Sequence, residues 1–265
     1  MFLIFRRLWQ VNWAEQWQYR ANLIMYLFYW LVSPIIYLAV WTSIANSKGS
    51  VNGFTANDFI TYYMTLLIVD QLTSNIIIHT FAYKVQDGSL SSELIRPIHP
   101  MMTNALVNNI AFKMLFLMGL IPIWIILALL FKPDFASVTG QGILLAVPAI
   151  ILGFFIGFLF SATITSVAFW TTRVYSVHEF YYAIVLLFSG QFVPLTLMPQ
   201  VIQNIAQYLP FQMLMYFPIQ VILGKLSMAQ IAQGYIVGFV WLLIAIFAFR
   251  WVWRNGVKQY SAVGA

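Results

Sequence analysis

Charged side chains make up only 8% of the 265 residues, so each one stands out. Asp70 is the most exposed to question. It lies inside an apolar run, in VDQLTSN, with Gln71, Thr73, Ser74, Asn75 and then His79 behind it. A lone carboxylate in such surroundings can carry a proton, line a polar path, or bond to an amide or hydroxyl of a neighbouring helix. On a helix, Asp70, Thr73 and Ser74 share one face. His79, His99 and His178 are spread over separate segments. There is neither an H-E-x-x-H pair nor a tight carboxylate cluster, so a metal centre is not expected. No Cys is present. That removes thiol nucleophiles, disulfides and thiolate metal sites. A phosphate-binding G-x-x-x-x-G-K-[ST] loop is missing as well. The Gly224-Lys225 pair is followed by Leu226 and Ser227 and has no upstream Gly at the needed spacing. Covalent chemistry and a resident cofactor are therefore not expected of this chain.

The second candidate is QDGSLSSELIRPIHP, residues 86–100, a polar island between apolar runs. Gly88 can end the preceding helix, and Ser89 can cap a new short helix over 90–95. The capping box is incomplete, because Ser92 stands where a Glu is wanted. Pro97 stops the helix and presses Arg96 toward an extended backbone. Leu90, Leu94 and Ile95 would then be displayed among Glu93 and Arg96. Such a mixture suits a docking surface, and it equally suits an ordinary solvated connection.

These residues need elements to hold them. Hydrophobic residues make up 62% of the chain and mean hydropathy is +0.85, while soluble domains carry about 25% charged residues. The class is an all-α polytopic membrane protein. Ten Trp suit rings placed at the two membrane interfaces. The net charge of +6 reads as Lys and Arg in cytoplasmic loops, not as nucleic-acid binding. Arg6 and Arg7 precede a Trp- and Gln-rich segment, so no cleavable leader is expected.

Charges divide the chain into spans near 21–47, 59–83, 103–131, within 135–172, and 226–249. The run 135–172 would make about 57 Å of helix against about 30 Å of bilayer core, so it should tilt or project. Residues 180–224 are uncharged, and they contain Gly190, Pro194, Pro199, Pro210 and Pro218. Charge parity decides their reading. Six spans put the N-terminal Arg6, Arg7 and Arg20, then Lys84, Arg96 and Lys113, then Arg173, then Arg250, Arg254 and Lys258 on the cytoplasmic side. Only Lys48, Lys132 and Lys225 fall outside. Six spans with both termini cytoplasmic satisfy the positive-inside rule. Residues 180–224 should then hold one span plus a broken, re-entrant piece on the outer side over 190–212. Residues 1–20 are too polar to span. Phe2, Phe5, Trp9, Trp13 and Trp17 share one side of a helix, opposite Arg7, Glu15 and Gln18. This helix lies on the inner leaflet or packs against another subunit. No repeat or linker appears, so the chain reads as one domain, 1–265.

Lesser signals have bland readings. Asn104, Asn108 and Asn109 suit interfacial hydrogen bonds. Arg173, His178 and Glu179 sit at a span end, where they are surface charges or a second contact for a partner. Gly153, Gly157 and Ser161 form a row of small residues that lets helices approach closely.

The pattern GSLSSELIRPIHP, placed between the second and third spans, resembles the corresponding loop of ABC-type permeases of the ABC-2 class, which export drugs, polysaccharides and lipids. The stretch SGQFVPLTLMPQVIQNIAQYLP, residues 189–210, resembles the outer segment of that family. The N-terminal helix and six-span layout agree, so the likeness covers nearly the whole chain. The resemblance implies that Gly88, Ser89, Leu90, Glu93, Leu94, Ile95, Arg96 and Pro97 form a coupling helix for a separate ATPase. It also implies that 190–210 is a re-entrant hairpin closing the outer end of a pathway. Two ATPase subunits would carry ATP and Mg. The second permease would be an identical or a sister chain, and the location the inner membrane of a bacterium. Two rivals remain at this level: an ion-coupled secondary transporter using Asp70, and a membrane enzyme acting on lipids.

Overall fold

The computed structural model describes residues 2–75 and 77–260, without the side chains of residues 2–5, 79, 80, 103 and 104. The readings placed on Phe2, Phe5, His79 and Asn104 side chains lie outside the described residues. Helices follow one another along the chain: α1 (Phe2–Gln18), α2 (Arg20–Lys48), α3 (Ala56–Thr73), α4 (Ile78–Gln86) and the short α5 (Ser91–Leu94). A π-helical stretch, Met101–Leu106, leads into α6 (Val107–Phe131). After it come α7 (Gly140–Ser166), α8 (Val174–Phe188), α9 (Gln200–Ala206), α10 (Tyr216–Ile222) and α11 (Met228–Gln259). No strand occurs among the described residues. Among the described residues, four helices are long and apolar enough to cross a membrane: α2, α6, α7 with its short extension to Phe169, and α11.

Local chemistry explains where these helices start. In a bilayer the first backbone N–H groups of a helix have no water to bond. At the end of the bundle opposite the 86–100 island, three helices begin, and each carries a side-chain cap. Thr55 and Asp58 exchange side-chain bonds with each other's backbone N–H at the start of α3, at 3.0 and 3.2 Å. Thr139 accepts from Gly142 N at 3.0 Å for α7, and Ser227 with Gln230 repeats the reciprocal box for α11. Prolines within α2, α6 and α7 (Pro34, Pro122 and Pro148) stay inside continuous helix. Membrane helices tolerate them because neighbouring groups take up the freed carbonyls.

The spine is α7, which packs against α3, α4, α8, α10 and α11. Its small-residue row makes that possible. A Cβ on Gly153 would collide with the backbone carbonyl of Met213. One on Gly157 would lie 2.7 Å from Leu214 Cδ2 and 3.1 Å from Asn75 Nδ2. The two glycines therefore seat the 210–214 turn and the end of α3 directly on the α7 backbone. Ser161, next in the row, is also buried.

Several expectations are corrected. The second span is not one helix over 59–83: it breaks between Thr73 and Ile78. The last helix does not end with the span expected over 226–249 but runs ten residues further, with Arg250, Arg254 and Lys258 exposed along the continuation. Helix α1, expected on the inner leaflet or against another subunit, also packs on α6 of its own chain, with Gln16 donating to Asn108 at 2.8 Å, which leaves both expectations open.

The glycine seat on α7 is testable. Gly153→Leu should lower the thermal midpoint of the detergent-purified protein, by overpacking worth about 1–3 kcal/mol or more. Gly140→Ala, where an added Cβ meets open space, should leave it unchanged.

Candidate functional site

The island folds back on its own helix. Asp87 ends α4, and its carboxylate accepts from Ser89 N at 2.9 Å and Ser89 Oγ at 2.7 Å. Those bonds hold the Asp87 carboxyl below the usual range. Gly88 follows at φ +82°, a left-handed turn that favours glycine. Ser89 is thus committed to Asp87 and does not cap α5. The short helix covers Ser91–Leu94, not 90–95, and Ser91 Oγ closes it by donating to Gly88 O at 2.8 Å. Leu90, expected on display, is fully buried among Ile77, Phe81, Met101, Phe158 and Ala162. It works as an anchor. Lys84 of α4 donates to Glu93 Oε1 at 2.7 Å, and the backbone N–H of Leu90 donates to Lys84 O at 3.0 Å. Loop and α4 are therefore one body.

What this body displays is smaller than the sequence suggested. Ile95 is 87% exposed, with Arg96 and Pro97 exposed beside it and Leu94 half-buried. Its inner side is tied to the far end of the chain: Tyr260 and Ser91 hydroxyls meet at 3.2 Å, and His99 packs on Trp253 with ring centroids 4.4 Å apart. Partial desolvation against that ring lowers the His99 imidazole from its usual value. Gln86 donates to Thr172 O at 3.4 Å, which brings the α7–α8 turn alongside. Arg173, at the end of that turn, is exposed, and in the first turns of α8 His178 and Glu179 lie 3.8 Å apart.

Above α4 lies the break. Asp70 is 2% exposed and Thr73 fully buried, while Ser74, in extended backbone at ψ 155°, has left the helical face the sequence assigned to it. The last carbonyls of α3 need donors at membrane depth. Lys113 supplies one: its ammonium donates to Gln71 O at 2.7 Å, reaches Ser74 Oγ at 3.5 Å, and lies 5.7 Å from the Phe154 ring centroid. Asn75 supplies another, donating to Thr73 O at 2.8 Å and to Phe154 O at 3.3 Å. Ser74 N donates to Asp70 O at 2.8 Å. The Asp70 carboxylate interacts with Lys113 and with Trp30. So Asp70 does not stand alone. Lys113, assigned to the cytoplasmic charges on sequence, is 7% exposed inside α6. Its place in a long apolar run beginning near 103 was the available signal.

The third candidate segment starts where α8 stops. Gly190 turns at φ +85°, and Tyr62 and Tyr63 donate to Gly190 O at 2.8 Å and Phe192 O at 2.7 Å. Pro194 and Pro199 each precede a short helix, and Pro210 starts a helical turn that reaches Met213, against Gly153. Tyr216 N then donates to Ser189 O at 2.9 Å, closing the loop, and α10 climbs along α7 to Gly224. Residues 190–212 thus descend to the middle of α7 before the chain returns.

Lys113→Met should destabilise the purified protein by about 3–5 kcal/mol, because it leaves Asp70 without its counter-charge and Gln71 O without a donor. Asp70→Asn in the same chain should restore part of the loss, read as thermal midpoints of the two variants. No recovery in the double variant would contradict the coupling of the two charges.

No curated protein matches this chain. A family model described as "ABC-2 family transporter protein" matches residues 21–264, nearly all of it. The match spans the broken second span, the 86–100 island and the descending 190–212 segment together. The chain is a multi-pass membrane protein that belongs to the ABC-2 transporter family.

Proposed function

We propose that this chain is the permease subunit of an ATP-driven exporter, working in a bacterial inner membrane with both termini in the cytoplasm. Six crossings follow if α3 and α4 count as one and α8 with the returning 190–224 segment as another. The permease pairs with a second copy or a sister chain. Two ATPase subunits, which hold the ATP and Mg, engage the two permeases from below through the 86–100 island.

The observation that carries this reading is the rigid link between the island and α4. A docking surface transmits force only if it does not yield. Leu90 buried as an anchor, the Lys84–Glu93 bond and the Asp87–Ser89 turn stiffen it, while Ile95, Arg96 and Pro97 stay free to enter a groove. Motion of the ATPase would then reach α4 whole, and flexing would concentrate at the break between Thr73 and Ile78, where hydrogen bonding along the helix is interrupted. Asp70, Thr73 and Ser74 stand at that hinge, so they act on the pathway by shaping its wall there. The segment 190–212 is the re-entrant piece that closes the opposite end. Family membership gives the ion-coupled alternative no support.

The absence of Cys makes the docking reading easy to test. Ile95→Cys in the tagged chain should form a cross-link to the ATPase that co-purifies in mild detergent, and Lys132→Cys, at the other end, should form none. Ile95→Asp should weaken recovery of that ATPase at least tenfold, about 1.4 kcal/mol, with the permease itself at normal levels. Cross-linking at Lys132 but not at Ile95 would refute the reading.

A further inference from the structure

One face of α11 changes from apolar to basic without leaving its line. Ile236, Val240, Leu243 and Phe247 stand three or four residues apart, and all are exposed. That spacing makes a single helical stripe. The stripe continues through Arg250, Arg254 and Lys258, each exposed and each four residues from the next. Trp251, beside Arg250, is 70% exposed.

The opposite face of the same helix end is pinned. Phe249 and Trp253 pack on His99, with ring centroids 5.8 and 4.4 Å away. The Phe169 ring lies 5.5 Å from that of Trp253 and 5.7 Å from that of Tyr260. Gly256 is buried against Phe169, and an added Cβ would collide with that ring. These contacts fix the rotation of the helix end, so the cations are held on its outer side. The ion pairs among the described residues are Lys84–Glu93, His178–Glu179 and Lys225–Asp58. Arg250, Arg254 and Lys258 thus form a row without a counter-charge, rising about 6 Å from one to the next. Like charges at that spacing repel, and a bound anion relieves them.

Helix length says where the anion would sit. Met228 to Phe249 makes about 33 Å of helix, against about 30 Å of hydrocarbon. The headgroup layer adds about 5–7 Å on each side, within reach of Arg250 and Arg254. Side chains on a helix tilt toward its N-terminus, so the cations lean back toward the bilayer, and Lys258 can snorkel to the edge of the layer. Apolar stripe, Trp and cations then follow the order of a phospholipid: acyl chain, interface, phosphate.

We propose that this face of α11 binds an anionic phospholipid. Its acyl chains lie along the stripe from Ile236 to Phe247, and Arg250 and Arg254 hold its phosphate, with Lys258 adding to the field. A zwitterionic headgroup brings a cation of its own against three others. A second copy of the chain fits poorly, because an axis along the membrane normal would set Arg250 against Arg250. This inference does not depend on the exporter reading.

Native mass spectrometry of the detergent-purified full chain, titrated with phosphatidylglycerol or phosphatidylcholine, measures the first lipid bound. Phosphatidylglycerol should bind at least about tenfold more tightly, and soluble glycerol phosphate at the same concentration should not compete. Arg250→Gln, Arg254→Gln and Lys258→Gln together should remove the preference. Arg6→Gln, Arg7→Gln and Arg20→Gln together, which remove as much charge elsewhere, should leave it intact. Both triple variants should keep the thermal midpoint of the unaltered protein in phosphatidylcholine, since the substituted side chains are exposed. Equal binding of the two lipids, competition by glycerol phosphate, or equal loss of preference in the two variants would overturn the proposal. So would a stripe variant that keeps its lipid preference but no longer recovers an ATPase, which would assign the row to an acidic protein surface.

Discussion

Hydrocarbon offers no hydrogen bonds, so a transmembrane helix that stops inside it must find donors for its last carbonyls. The end of α3 is the place where this chain meets that demand. Lys113 reaches across from α6 to Gln71 O, and Asn75 turns back onto Thr73 O and across to Phe154 O on α7. Three elements are thereby joined at one level. Two of them, α7 and the end of α3, meet the 210–214 turn there, because Gly153 and Gly157 bring the α7 backbone close to both. Remove the donors and the break has no means of existing at that depth. An ammonium there needs a counter-charge in turn, and Asp70 is the carboxylate that provides it.

The break divides the molecule by stiffness. Above it, α3 is almost wholly buried between α2, α6, α7 and α10. Below it, α4, the island and the neighbouring ends of α7 and α11 share one apolar cluster. Phe81, Leu90, Phe158 and Val174 lie at its centre, and Phe169, Trp253 and Tyr260 pack around them. Both halves are well packed in themselves, and they are joined along the second span by only a few residues of irregular backbone. A force applied at Ile95 therefore has a rigid lever, a short joint and a buried upper body to work against.

Much of this was legible in the residues. Uncharged runs gave α2, α6 and α7 within a few positions, and the start of α11, because each is bounded by charges or caps that the bilayer makes compulsory. The prolines of 190–212 marked an irregular segment, since none can continue a helix without losing a hydrogen bond. The break in the second span left no such mark: Ser74, Asn75 and Ile77 include neither Gly nor Pro, and the donor that permits it, Lys113, is forty residues away. For the same reason Lys113 was counted with loop charges, which is what an isolated Lys beside an apolar run usually is. Leu90 misled in the opposite sense. In a short polar island a Leu looks displayed, and only the tertiary fold shows that it is the pin holding the island to α4. The docking role proposed for the island, and the pathway role proposed for Asp70, Thr73 and Ser74, rest on arrangement and family, not on composition.

The central claim is that the island and α4 move as one body about the break. Spin-label pairs in this Cys-free chain measure it directly. One pair, at 83 and 95, lies within the lower body; the other, at 57 and 83, spans the break. Distances are taken by double electron–electron resonance in the complex with its ATPase, before and after trapping with ATP and vanadate. The account requires the 57–83 distance to change and the 83–95 distance to stay constant. A changing 83–95 distance with a constant 57–83 distance would contradict it.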